Sequence, residues 1–86
     1  MDIQGERASP GEQEIIVRVR MFCTTYRLSP REQQVLNLIC RGHHPKDVAE
    51  QIGAGYASVR THLRRTYKKV GCSGLRELVI RFFSEA

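Results

Sequence analysis

The feature that most constrains the fold is a pattern that occurs twice, SPGE at residues 9–12 and SPRE at residues 29–32. Each copy has a serine suited to an N-cap, a proline suited to the first helical position and a glutamate three residues after the serine. Such residues satisfy the free N–H groups of a first helical turn, where the N–H that proline lacks would stay unpaired anyway. We therefore predict helix starts at Ser9 and Ser29.

Apolar spacing extends these two starts into helices. The first helix is predicted from about residue 10 to residue 26, because its apolar side chains recur on one helical face. The segment VRVRM alternates apolar and basic residues as a strand does, but the length of the run and its cap favour a helix. The second helix is predicted from Ser29 to about Arg41, with Gly42 as its C-terminal cap.

Prolines and glycines mark three more helices. The segment HHPKDVAEQIG predicts a short third helix, in which Pro45 takes the first position and Gly53 ends the helix. After the tight turn GAG, the segment YASVRTHLRRTYKKV predicts a fourth helix that ends at Gly71. The segment SGLRELVIRFF predicts a fifth helix. No segment is a convincing strand, so the predicted fold class is all-α.

Length and composition exclude several classes of protein. A chain of 86 residues is one small domain with a modest core. No apolar run is long enough for a membrane span, and the first residues have neither a basic leader nor an apolar signal core. We expect a soluble, cytoplasmic protein without a membrane partner.

The cysteines and histidines give no sign of a metal site or of catalysis. Cys23, Cys40 and Cys72 are odd in number, and their spacing fits neither a disulfide framework nor a zinc signature. Cys40, His43 and His44 come close together in CRGHH, but Cys40 lies on a predicted core face and no fourth ligand has a usual zinc spacing. We expect buried free thiols, no metal, no cofactor and no enzyme activity.

The charge of the chain is concentrated in one segment. Residues 60–69 carry five of the 14 basic residues and no acidic residue, while the remainder holds equal numbers of basic and acidic residues. The formal net charge of +5 therefore belongs to this one segment. Because surface helices usually mix both signs, a block of one sign predicts a negatively charged partner: nucleic acid, an anionic membrane or an acidic protein.

The predicted fourth helix has two opposed faces. At about 100° per residue, an apolar stripe that we expect to be buried is formed by Val59, Leu63, Tyr67 and Val70. Small and cationic residues occupy the opposite side and one flank: Ala57, Arg60, Thr61, Arg64, Arg65 and Lys68, then Ser58, His62 and Lys69. A membrane-binding helix would need bulky apolar residues on its free face. A short helix, a turn with glycine and such a basic helix are typical of a helix-turn-helix, so double-stranded DNA is the favoured partner.

Three blocks of the sequence resemble one protein family. LSPREQQVLNLICRG, KDVAEQIG and SVRTHLRRTYKKVG are similar, in order and spacing, to the LuxR/FixJ/GerE-type helix-turn-helix domain. The resemblance covers about Leu28 to Phe83. His44 stands where this family usually has a capping serine or threonine, and Gly55 and Gly74 stand at two further cap positions.

This resemblance implies the DNA-binding domain of a bacterial transcription regulator, with a tri-helical helix-turn-helix core and a C-terminal helix. That domain would be residues 28–86, preceded in residues 1–27 by a tail and an extra amphipathic helix. Its recognition helix, here about residues 56–69, is expected in the major groove, and its last helix often forms a dimer on inverted-repeat DNA. Because so few residues precede the resemblance, we expect a stand-alone regulator without a receiver or ligand-binding domain.

The resemblance and the opposed faces together assign residue roles. Base contacts are expected from Arg60, Thr61 and Arg64, since arginine pairs with guanine O6 and N7 and a threonine methyl group packs on thymine. Phosphate contacts are expected from Lys46, Ser58, His62, Arg65, Lys68 and Lys69.

The first and last predicted helices carry more apolar residues than so small a core needs. A homodimer or partner interface is therefore expected at Ile15, Val19, Phe22, Tyr26, Leu75, Leu78, Val79 and Phe82. The alternative is that these residues only close the core of one chain. Two other functions stay open, a promoter-recognition module resembling sigma-factor region 4 and an adaptor that docks a regulatory protein or RNA polymerase.

Overall fold

The computed structural model describes residues 10–85 and contains five helices in that range. They are α1 (Pro10–Tyr26), α2 (Pro30–Cys40), α3 (Pro45–Ile52), α4 (Tyr56–Val70) and α5 (Leu75–Ser84). The described residues contain no strand, so the all-α prediction is confirmed and VRVRM belongs to a helix. Ser9, the predicted N-cap of the first helix, lies outside the described residues.

The start of α2 has the predicted capping box. The backbone N–H of Glu32 donates to Ser29 Oγ at 3.1 Å, and the backbone N–H of Ser29 donates to Glu32 Oε1 at 2.8 Å. Each residue satisfies a free N–H group of the other, which fixes the first turn of α2.

A short turn joins α3 to α4. His44 caps α3, because its Nδ1 accepts a hydrogen bond from the backbone N–H of Lys46 at 3.2 Å. Gly53 follows α3 with a φ of 68°, a left-handed conformation that glycine adopts without steric cost. Gly55 then precedes α4 in an extended conformation and offers no side chain to cap it. Together, α3, this turn and α4 form the predicted helix-turn-helix.

The link between α1 and α2 has a defined conformation. Arg27 has a φ of 57°, a left-handed value that costs a non-glycine residue about 1–2 kcal/mol. The next residue, Leu28, donates its backbone N–H to the Cys23 carbonyl at 3.0 Å. The Arg27 carbonyl accepts a hydrogen bond from Lys69 Nζ at 3.3 Å. These contacts from both sides hold the link in its strained conformation.

All five helices contribute to one hydrophobic core. The core lies between α2 and α4, with α1 packed on α2, α3 on α4, and α5 on α4. Its largest fully buried apolar side chains are Val19, Val35, Leu36, Val48, Val59, Leu78 and Phe82. Because α1 adds Val19, Phe22 and Cys23 to this core, α1 packs as part of the same body as the helix-turn-helix.

Half of the residues expected at an interface lie in this core instead, which corrects the expectation for Val19, Phe22, Leu78 and Phe82. The rings of Phe22 and Phe82 meet edge to face, with centroids 5.4 Å apart, where α5 packs beside α1. The physical reason is that a domain this small covers its apolar surface only when its outer helices also close the core. The other expected interface residues are half-buried against the core: Ile15, Tyr26, Leu75 and Val79.

The cysteines are free thiols, two of them within the core. Burial raises the pKa of Cys23 to about 11 and that of Cys40 to about 12, so both stay protonated and unreactive near neutral pH. Cys72 is half-buried, and its pKa is also raised by burial. Within residues 10–85 there is no cluster of histidine, cysteine and acidic residues that could hold a metal ion. No helix among the described residues is long and apolar enough to cross a membrane.

Candidate nucleic-acid interface

One side of α4 is anchored in the core. Val59, Leu63, Thr66 and Val70 are buried, and Tyr67 is half-buried beside them. The burial of Thr66 was not predicted, because a hydroxyl is not an apolar signal, although on the helical wheel Thr66 lies beside Val59 at the edge of the stripe. The Thr66 hydroxyl donates to the His62 carbonyl at 2.9 Å, which satisfies the buried oxygen.

The remaining surface of α4 is exposed and cationic. Arg60, Arg64, Arg65 and Lys68 are all exposed, and small residues lie between them, with Ala57 exposed and Thr61 half-buried. The two arginines expected to contact bases are therefore both exposed residues of α4. This side of the helix can approach a surface closely, because small residues occupy part of it.

A shallow cavity of about 290 Å³ lies on this exposed side, lined by Ala57, Ser58, Thr61, His62 and Arg65. The Thr61 hydroxyl donates to the Ala57 carbonyl at 3.0 Å, which fixes the side chain against the helix. The His62 Nδ1 atom is buried and has no hydrogen-bond partner among the described residues. Any hydrogen bond from His62 to a ligand must therefore use Nε2.

Lys69, which is expected to contact phosphate, is exposed but forms an ion pair within the domain. Its ammonium donates to Glu32 Oε1 at 2.7 Å and lies at the end of α4 beside the start of α2. Glu32 is only 2% exposed, and a buried carboxylate requires a cation or several hydrogen bonds. Burial alone would raise the pKa of Glu32, but hydrogen bonds from Lys69 and Ser29 outweigh burial and lower it. The Lys69 ammonium therefore already has an anionic partner within the domain, the Glu32 carboxylate.

The first turn of α3 borders the same side of α4. A cleft of about 260 Å³ lies between them, lined by Pro45, Tyr56, Arg60, Leu63, Arg64, Tyr67 and Leu75. Lys46, which follows Pro45, is exposed at this end of α3. The structure thus places the start of α3 beside the two arginines expected to contact bases.

Tyr56 is a second residue that the sequence analysis missed. It is the first residue of α4 and is 41% exposed. The Arg60 Cζ atom lies 5.9 Å from the centroid of the Tyr56 ring. The signal in the sequence was the spacing of four residues, which places two side chains on the same side of a helix.

The fold and this exposed basic helix define the chain as a helix-turn-helix DNA-binding domain of a transcription regulator. The comparison with protein families identifies which kind. Residues 26–82 match the family described as bacterial regulatory proteins, luxR family, and the chain belongs to that family. The resemblance expected over about residues 28–83 is thus confirmed over nearly the same residues.

The chain is also similar to individual proteins that are named as regulators. The chain is 26% identical over 77 residues to the tetrathionate response regulatory protein TtrR of Salmonella typhimurium, covering 90% of this chain and 37% of that protein. It is 36% identical over 52 residues to the transcriptional regulatory protein MctR of Rhizobium johnstonii, covering 60% and 24%. It is 34% identical over 55 residues to the HTH-type transcriptional regulator MalT of Yersinia pestis, covering 64% and 6%. The chain therefore spans well under half the length of each of these relatives. No solved structure gives a significant match.

Proposed function

We propose that this chain is a sequence-specific DNA-binding regulator that inserts α4 into the major groove and binds inverted-repeat DNA as a homodimer. The observation that carries the proposal is the exposure of Arg60 and Arg64 on α4, where they lie beside its buried stripe and next to the start of α3. Arginine presents a fork of donors that matches guanine O6 and N7, so each guanidinium can distinguish guanine from other bases.

The remaining exposed groups suit the DNA backbone. Ser58, Arg65 and Lys68 lie on or beside the cationic side of α4, and Lys46 lies at the start of α3. His62 can add a contact through Nε2. We leave Lys69 out of the proposed phosphate contacts, because its ammonium is bonded to Glu32. In this arrangement base contacts set the sequence preference, while phosphate contacts set position and overall affinity.

The proposal is tested by replacing Arg64 with alanine. A duplex that the wild type selects from a random pool should bind Arg64→Ala about 1–3 kcal/mol more weakly, because one bidentate base contact is lost. The preference at one base pair in each half-site should relax, while affinity for a random duplex changes much less. Fluorescence anisotropy with selected and random duplexes at one salt concentration measures both affinities.

Lys68→Ala is the matched control for this experiment. Lys68 is exposed on the same side of the helix, and we expect it to contact phosphate only. This variant should weaken binding to selected and random duplexes alike and reduce the log–log salt slope by about 1. Equal losses on both duplexes for Arg64→Ala as well would rule out base contacts by this side of α4.

The dimer is proposed to form through the outer side of α5. Ile80 is 56% exposed, Phe83 is exposed and Val79 is half-buried, and their spacing places them along one side of the helix. Such a stripe at the end of the domain offers the same patch to both copies, as a two-fold interface requires.

Replacing Ile80 with glutamate tests this interface. Ile80→Glu should convert the dimer to a monomer, because two carboxylates would face each other across the two-fold axis. Met21→Glu, at an exposed apolar residue on α1, should leave the dimer intact. Sedimentation velocity at micromolar concentration measures the association state of both variants. A wild type that sediments only as a monomer, with and without its selected duplex, would contradict the proposed dimer.

A further inference from the structure

Tyr56 is the first residue of α4, and its exposed ring lies one helical turn before Arg60. No side chain caps this N-terminal end of the helix. Residues four apart on a helix are neighbours, and here the Arg60 Cζ atom lies 5.9 Å from the ring centroid. This distance is within the range at which an aromatic ring attracts a guanidinium group. The two side chains form a pair on the exposed surface.

The pair restricts a long and otherwise flexible side chain. An arginine has many rotamers in solvent, and ordering them on binding lowers affinity. A guanidinium group that is already attracted to a nearby ring loses less freedom when it pairs with a base. The ring therefore prepares Arg60 for a contact that Arg60 itself makes.

The cleft beside the pair shows which side chains surround Arg60 on the side of the ring. Leu63, Leu75 and half-buried Tyr67 line the same cleft as Tyr56 and Arg60, next to Pro45 at the start of α3. The Tyr67 phenol is neutral near pH 7, as a tyrosine ordinarily is, and adds no charge beside the guanidinium. On this side Arg60 is bordered by aromatic and apolar side chains and by a second cation, Arg64, and none of the residues that line the cleft is acidic.

We propose that Tyr56 is a positioning residue that orients the Arg60 guanidinium, and that it thereby sets the strength of the base preference that Arg60 reads. This inference rests on the proposed function. It adds a residue outside the base and phosphate contacts named above, and it assigns the ring a role in sequence preference and none in general affinity.

The test compares Tyr56→Ala and Tyr56→Phe on the selected duplex and on a random duplex. Tyr56→Ala should weaken binding to the selected duplex by about 3–10-fold and leave the random duplex unchanged. The base preference should relax at the same base pair that Arg60→Ala relaxes. Tyr56→Phe keeps the ring and should bind like the wild type. Thermal melting should show that both variants stay folded, because the side chain is exposed.

A double-mutant cycle separates positioning from direct contact. In the Arg60→Ala background, Tyr56→Ala should have no further effect, because there is no guanidinium to orient. A full effect in that background, or equal losses on both duplexes, would overturn the inference and assign Tyr56 its own contact with DNA. A wild type with no preference among duplexes would instead refute the proposed function, and the inference with it.

Discussion

Replacing Phe82 with alanine is expected to lower the free energy of unfolding by about 3–5 kcal/mol, because a large buried ring leaves a cavity. Phe82 is 1% exposed and packs against the rings of Phe22 and Phe83. Its loss removes contacts that join α5 to α1. Urea denaturation followed by circular dichroism, at one protein concentration, measures the change.

Met21→Ala is the control for this prediction. Met21 is 66% exposed on α1, and methionine and alanine are both good helix formers. Its free energy of unfolding should stay within about 0.5 kcal/mol of the wild type. If Phe82→Ala changed the free energy of unfolding as little as Met21→Ala and reduced only self-association, Phe82 would belong to an interface. Its assignment to the core would then be wrong.

Replacing Lys69 with methionine is expected to lower the free energy of unfolding by about 1–2 kcal/mol, because it leaves the buried Glu32 carboxylate without its cation, although solvent already screens the 38% exposed lysine. Lys68→Met is the matched control, since Lys68 is an exposed lysine one residue earlier on α4. It should change stability by no more than about 0.5 kcal/mol. If Lys69→Met were as stable as Lys68→Met, the ion pair would contribute nothing to the fold.

The ion pair between Lys69 and Glu32 also predicts how the stability of the fold depends on pH. Because Lys69 and Ser29 lower the pKa of Glu32 in the folded state, the stability from this carboxylate is complete above the unfolded pKa of about 4.3. It is lost as pH falls through the lower folded pKa. In Lys69→Met the burial that remains raises the pKa, so protonation removes a penalty. The stability gap between the wild type and this variant should therefore begin to narrow above about pH 4.3, as the carboxyl group of the variant is protonated, and should continue to narrow as the wild-type carboxylate is protonated below that pH. In Glu32→Gln, which has no carboxyl group to protonate, the same replacement of Lys69 should produce no such narrowing.

The helices could be predicted from the sequence because the signals that start and stop them are local. The capping box at Ser29 and Glu32 involves residues three apart, and Gly53 ends α3 by its own conformational freedom. The two faces of α4 follow from the same kind of information, since the period of a helix decides which residues share a side. All these features depend on residues within a few positions of one another.

The parts that the sequence did not predict depend on contacts between distant residues. Periodicity shows that α1 and α5 have apolar faces, but whether a face meets another helix or a second copy depends on the packing of the whole chain. Glu32 and Lys69 are 37 residues apart, so the sequence alone did not show that Lys69 forms an ion pair with a buried carboxylate of α2. Tyr56 is different, because its pairing with Arg60 is local and could have been found from the spacing.

The left-handed backbone at Arg27 has a consequence for motion. A glycine there would rotate freely, but an arginine at this φ has few neighbouring conformations to visit, and its carbonyl is bound to Lys69. With Val19 and Phe22 also locked in the core, α1 does not swing as an arm on a hinge. Because α1 shares one core with α2 and α4, any displacement of α1 would have to repack the residues that anchor α4.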